Sequence, residues 1–196
     1  MIIVQHRVND VRQLINTPHH LGVEVDIRSN NSGLYLAHDP FCDGESLGEY
    51  LSNFKHRLLV LNVKEEGLEE KCLELLRETG VTDYFFLDQS MPFLIRRGLQ
   101  GIKDGACRIS EYESMATVEN LREFCDWVWV DSFHSSGSGL EKISDLKEMG
   151  LKVCLVSPEL HGSNRNEELV DFIDLVQESD IPIDAVCTKF PEAWAI

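Results

Sequence analysis

Basic residues are scarce in this chain. Only 18 Lys and Arg stand against 34 Asp and Glu, giving a formal net charge of −16 over 196 residues and a pI near 4.7. A surface of that sign does not hold a nucleic-acid backbone, whose phosphates need clustered cations. A small anionic substrate remains possible where a local Arg/Lys cluster or a metal reverses the sign. The six cysteines, at 42, 72, 107, 125, 154 and 187, contain no C-x-x-C pair. Cys107, Cys154 and Cys187 lie in apolar runs and read as small buried hydrophobes. Free thiols in a reducing cytoplasm are expected. There is no apolar run near 18 residues and no charged-then-apolar leader with a small-residue cleavage site, so no transmembrane segment is expected. Glycine-rich phosphate loops, low-complexity segments and linkers are absent; Ser135 to Gly139 reads as a loop.

What is present is ordinary globular material. Hydrophobic residues make up 43% and charged residues 27%, enough for one domain over residues 1–196 with a real core. Apolar runs alternate with helical patterns. The runs are Met1–Gln5, Gly22–Ser29, Leu58–Leu61, Tyr84–Leu87, Ala106–Ile109, Trp127–Val130, Leu151–Val156 and Ala185–Cys187. Gly33–Ala37 extends or pairs with the second run through the turn-like Asn30-Asn31-Ser32. Between the runs, Glu65–Thr79 is the clearest helix, with Leu68, Cys72, Leu75 and Leu76 on one face and Gly80 as its stop. Runs without a wet face, separated by helices, predict a parallel sheet. Eight such units predict a compact (β/α)8 TIM barrel, with Pro191–Ile196 as a truncated last helix. The chain is short for that fold, which typically takes about 250 residues, and an open doubly wound sheet is the alternative.

The stretch Gly22-Val-Glu-Val-Asp-Ile-Arg28 bears most on function. Val23, Val25 and Ile27 share one strand face, and Glu24, Asp26 and Arg28 the other. That alternation also suits a strand with one solvated face. The setting favours chemistry: His6-Arg7 ends the run before it and His38-Asp39 the run after it. Acids two apart on a strand project the same way, roughly 6.6 Å apart, and can converge on one hard cation. In a barrel the reactive groups sit at the C-terminal strand ends. Those ends carry His6, Arg7, Glu24, Asp26, Arg28, His38, Asn62, Lys64, Asp88, Ser110, Asp131, Ser157, Thr188 and Lys189. Asp88 and Asp131 read as caps of following helices, Trp127 and Trp129 as packing, and His19, His20, His56, His134 and His161 as surface residues.

The order His6-Arg7, Glu24-x-Asp26, His38-Asp39 and then a strand ending in Lys64 resembles the glycerophosphodiester phosphodiesterase family, phospholipase-C-like enzymes on the TIM-barrel fold. Asp184-Ala-Val-Cys-Thr-Lys-Phe-Pro-Glu192 is similar to that family's closing strand. The resemblance implies a phosphoric diester hydrolase acting on a small phosphodiester. His6 and His38 would be its acid and base, Arg7 and Lys64 would bind the phosphate, and Glu24 and Asp26 would hold Mg²⁺ or Ca²⁺. The chain departs from the family pattern at several points, among them a short connection from His38-Asp39 to the third run and Val156-Ser157-Pro158 where an aromatic is often found. Asn62 stands where a third ligating Glu is usual. Val8 replaces the Gly after His-Arg. The Glu-Asn-Thr segment that usually follows is missing, with Asn9-Asp10 as a partial substitute. The amide at position 62 predicts a weaker or altered metal site. A catalytically degenerate member that binds a phosphorylated ligand or a partner is the alternative.

Overall fold

The computed structural model describes residues 1–134, 137–179 and 181–194. Its strands are β1 (Ile2–Gln5), β2 (Gly22–Asn30), β3 (Gly33–Leu36), β4 (Glu45–Ser46), β5 (Leu59–Val63), β6 (Tyr84–Leu87), β7 (Ala106–Ile109), β8 (Trp127–Val130), β9 (Lys152–Val156) and β10 (Ala185–Thr188). The α-helices are α1 (Val11–Asn16), α2 (Leu47–Ser52), α3 (Glu69–Thr79), α4 (Met91–Gly98), α5 (Met115–Leu121), α6 (Ile143–Glu148), α7 (Glu168–Glu178) and α8 (Pro191–Trp194). Ser135 and Ser136 of the expected loop, and Ala195 and Ile196 of the expected last helix, lie outside the described residues.

Eight strands run parallel in the order β6-β5-β2-β1-β10-β9-β8-β7. That is the order expected from the sequence, in a mixed α/β fold. The hydrogen-bonded ladder does not close as a regular sheet. Between β6 and β7 only an isolated bridge, Phe86 to Gly105, joins the two ends, with one backbone bond from Phe86 N to Asp104 O at 2.8 Å. Side chains span the same seam: Phe85 of β6 stacks on Trp127 of β8 with ring centroids 4.5 Å apart.

The sheet buries both faces, and the strand alternation separates them. Val4, Val60, Phe85, Ala106, Trp127, Trp129, Cys154, Val156, Ala185 and Cys187 form one cluster drawn from strands at both ends of the ladder. Contacts of that kind require the sheet to curl on itself. The opposite phase packs under helices in two further clusters. Val23, Val25 and Ile27 meet Leu47, Leu51, Cys72 and Leu76 on one side; Ile109, Val128, Val153 and Val186 meet Val118, Ile143, Phe172 and Trp194 on the other. Gly22 fits its place because a Cβ there would come within 3.0 Å of Leu58 O and 3.1 Å of the Val4 side chain.

Helix ends follow local chemistry. Ser90 caps α4, accepting from Phe93 N, and Ser114 caps α5. α3 starts at Glu69, later than its periodicity suggests, and stops at Gly80, whose φ of 74° is left-handed. β2 is the one long strand. Its first half pairs with β1 and its second half turns into an antiparallel hairpin with β3. That hairpin brings the chain back to the ladder, where Ala37 N donates to Asp26 O at 3.0 Å. All six cysteines are free thiols, and no helix among the described residues is long and apolar enough to cross a membrane.

The Phe85–Trp127 stack makes a direct test of how the seam is held. Phe85 is fully buried, so Phe85→Ala should cost about 3–5 kcal/mol. Urea unfolding followed by circular dichroism measures it; a loss under 1 kcal/mol would mean that the rings do not bridge the gap.

Candidate active site

One rule generates the polar layer at the C-terminal strand ends. Two residues beyond an inward hydrophobe, a strand still faces inward. Val4 leads to His6, Val60 to Asn62, Ala106 to Arg108, Trp129 to Asp131 and Cys187 to Lys189. On β2, Val23, Val25 and Ile27 join the helix side, which leaves Glu24 and Asp26 facing the same interior. They are 1% and 0% exposed, so the solvated-face reading of this strand does not hold.

The structure brings the first-third residues together. Glu24 Oε2 accepts the Arg7 backbone N–H at 2.8 Å and lies 3.9 Å from His6 Nε2. Glu24 Oε1 accepts from Asn62 Nδ2 at 3.0 Å. Asp26 Oδ1 pairs with Lys64 Nζ at 2.9 Å, and Oδ2 accepts from Asn9 Nδ2 at 2.8 Å, with Arg7 Nε at 3.9 Å. Asn9 Oδ1 in return accepts the Asp26 N–H at 2.8 Å. Asn9 thus secures the acid from both sides. His38 stands over Arg7: Arg7 Nη2 donates to His38 Nε2 at 2.5 Å. A guanidinium only donates, so Nε2 accepts and Nδ1 carries the proton that bonds Asp39 Oδ1 at 2.7 Å. Arg28 fixes the same segment, donating to His38 O at 2.9 Å and facing Glu65 at 3.6 Å.

The electrostatics are those of charge held out of water. Burial, reinforced by the neighbouring Asp26, pushes the Glu24 carboxyl above its ordinary range. Burial pushes Asp26 the same way, but the Asn9 hydrogen bond and the Lys64 ammonium outweigh it and hold Asp26 below. Burial and the Arg7 charge lower His6 to about 3, leaving a neutral imidazole. Among the described residues, three non-glycine residues have left-handed backbone: Arg7 (φ 55°), Phe41 (φ 63°) and Asp88 (φ 61°). Arg7 and Asp88 follow the ends of β1 and β6, and Phe41 lies in the loop between β3 and β4; such strain, about 1–3 kcal/mol each, collects at functional sites. At Arg7 its effect is visible, since the turned backbone aims the N–H at Glu24.

Could these residues take a divalent cation? Among the described residues no three His, Cys, Asp or Glu side chains converge as a ready-made cage. Yet Asn62, the register partner of Asp26 across β2 and β5, has a buried Oδ1 with no hydrogen-bond partner. Two carboxylates and one amide oxygen fit Mg²⁺, which keeps several waters and takes one or two carboxylates plus substrate phosphate.

The far rim holds residues that the sequence reading assigned elsewhere. Asp131 is no helix cap: it accepts from Arg108 and from His161 Nε2, the latter at 2.5 Å. Asp88 also accepts from Arg108, while Ser90 does the capping. His161 and His134 have partners, since Tyr112 contacts the His134 ring nitrogen. His56 is buried, with Nε2 bonded to Thr17 O at 2.9 Å. Glu159, fully buried, binds the hydroxyls of Ser157 at 2.5 Å and Thr188 at 2.6 Å. The inward phase would have found Arg108 from Ala106. No local signal marks His161, which meets Asp131 only through the fold.

Neither a family model nor a curated protein matches the chain in sequence. Solved structures do match in shape. A glycerophosphoryl diester phosphodiesterase from Parabacteroides distasonis superposes with a TM-score of 0.68 at 12% identity, over 99% of this chain and 84% of that one. A glycerophosphodiester phosphodiesterase from Agrobacterium tumefaciens does so with a TM-score of 0.62 at 17% identity, over 100% of both chains. At these identities the likeness establishes a shared fold over nearly the whole length, in a chain of divergent sequence.

The network also sets a stability expectation. Lys64→Met leaves Asp26 without its cation, and should destabilise by about 2–3 kcal/mol, less than for a fully buried pair because Asn9 remains. Chemical denaturation at neutral pH reads this; an unchanged midpoint would mean that Lys64 does not balance Asp26.

Proposed function

We propose that the chain is a metal-dependent phosphodiesterase that cleaves a glycerophosphodiester-type substrate at the mouth formed by the ends of β1, β2 and β5. One observation carries this reading: His6, Arg7, Glu24, Asp26, His38, Asn62 and Lys64 belong to one contact network. The shared fold with phosphodiesterases of that class supports it. So does the side-chain bridging of the β6–β7 seam, from which we take the curled sheet to act as a (β/α)8 barrel.

The division of labour follows from charge. A phosphodiester is anionic, and its cleavage gathers further charge on oxygen. Arg7 supplies a planar donor fork for the phosphate, and Lys64, paired with Asp26, supplies a second cation. Glu24, Asp26 and the Asn62 oxygen would hold Mg²⁺, which polarises the phosphoryl oxygens when bound. His6 and His38 share the two proton transfers, one taking a proton from the nucleophile and one returning a proton to the leaving alcohol, each worth about 10²–10⁴-fold. Asp39 orients His38 by accepting from Nδ1.

The binding-only alternative has its own support: all four carboxylate oxygens of Glu24 and Asp26 already face donors of the protein. Steady-state hydrolysis of bis(p-nitrophenyl) phosphate and of a glycerophosphodiester separates the two. We expect Mg²⁺-dependent turnover, abolished by chelation and lowered about 10²–10⁴-fold by His6→Ala or His38→Ala. No turnover on either compound at any divalent-ion concentration would leave the binding role. The amide at 62 gives a second check. Asn62→Asp should tighten Mg²⁺ about tenfold or more, seen as a larger metal-induced rise in melting temperature. An unaltered metal response would remove Asn62 from the ion site.

A further inference from the structure

We infer that the groove beside His6 and Arg7 is a subsite for a second anionic group on the substrate, and that Arg12 is the residue that reads it. The inference rests on the phosphodiesterase reading of the mouth and names the kind of diester it takes.

The groove has a volume of about 630 Å³, within the range of small-molecule sites. It shares His6 and Arg7 with the phosphate end of the network and continues along α1 past Arg12, Gln13 and Asn16, with Gln5 on the strand side. Among its lining residues only Val8 is apolar, and Val8 is buried. The lining is more polar than apolar, which disfavours an acyl chain. Amides, a hydroxyl and guanidinium groups suit a hydroxylated or charged alcohol.

Charge narrows the class. In a chain of net charge −16, the residues lining this groove include two arginines, Arg7 and Arg12, and one acid, Asp10. Asp10 is committed locally, accepting from Gln13 N at 2.7 Å to cap α1. Arg12 has no ion pair among the described residues, whereas Arg28, Lys64 and Arg108 around the mouth are each paired with an acid. An acidic protein repels a doubly anionic ligand everywhere except where local cations prevail. An unpaired guanidinium next to the phosphate-binding Arg7 offers a bidentate fork for a further phosphate or carboxylate. The substrate class is therefore a diester whose alcohol carries its own anionic group, not one with a neutral or lipid substituent.

Calorimetric titration with glycerol 3-phosphate and with glycerol 1,3-bisphosphate, both in Mg²⁺, tests this. The wild type should bind the bisphosphate about tenfold more tightly, the scale of one charge-assisted contact. Arg12→Ala should erase that preference, leave glycerol 3-phosphate binding and the melting temperature unchanged, and make bisphosphate binding less salt-sensitive; Arg12→Lys should recover part of it. Equal affinities in the wild type, no binding of either compound, or a preference that survives Arg12→Ala would overturn the subsite. Turnover of bis(p-nitrophenyl) phosphate is read separately in the same preparations. Its absence counts against the phosphodiesterase reading, while its persistence with equal affinities counts against the subsite alone.

Discussion

Two carboxylates buried side by side are the constraint around which this fold is arranged. Glu24 and Asp26 lie on one strand, on one face, with almost no contact with water. Left uncompensated, charges so placed cost several kcal/mol each. The surroundings answer group by group. A left-handed turn at Arg7 aims a backbone N–H at Glu24, Asn62 gives it an amide, and Asn9 and Lys64 secure Asp26. Glu24 is nonetheless held above its ordinary range. On the reading proposed above, a region whose acids still repel after that much compensation would accept a cation from outside. Where packing alone decides, hydrophobic residues of similar size would do better, so the pair points to function.

Strand topology makes the convergence possible. Parallel neighbours β1, β2 and β5 deliver His6, Glu24, Asp26 and Asn62 to one end of the sheet. The β2–β3 hairpin returns His38 above them. The rest of the ladder carries a second polar arc, from Asp88 through Arg108 and Asp131 to His161. That arc is satisfied within itself, which separates it from the groove at Arg12.

Much of this was legible in the sequence because period and chemistry coincided. Runs such as Leu58–Leu61 and Trp127–Val130 are buried on both faces and have no other reading than interior strands. The pairs His6-Arg7 and Glu24-x-Asp26 stood out because polar residues in phase with an inward face are costly unless used. Helix starts were less legible: α3 begins at Glu69 because Glu65 is drawn away to Ser29 and Arg28. The open ladder between β6 and β7 left no trace in Tyr84–Leu87, which is wholly apolar, while Ala106–Ile109, with Arg108 in it, is the weaker of the two runs. His56 and His161 were misread for one reason: each hydrogen-bonds a partner distant in sequence, Thr17 and Asp131, and a lone histidine carries no sign of it. The role of Asn9 was partly legible, as a substitute for a missing segment, though not its two-sided grip on Asp26.

The central claim is that Glu24, Asp26 and Asn62 form the floor of a cation-assisted phosphate site with Arg7 and Lys64 above it. The most direct measurement is a crystal structure of the protein soaked with Mg²⁺ and glycerol 3-phosphate. The account predicts the ion against both carboxylates and the Asn62 oxygen, the phosphate on Arg7, and Lys64 moved from Asp26 to the phosphate. An ion and phosphate bound elsewhere, with Lys64 still on Asp26 and the Asn62 oxygen still without a partner, would contradict it.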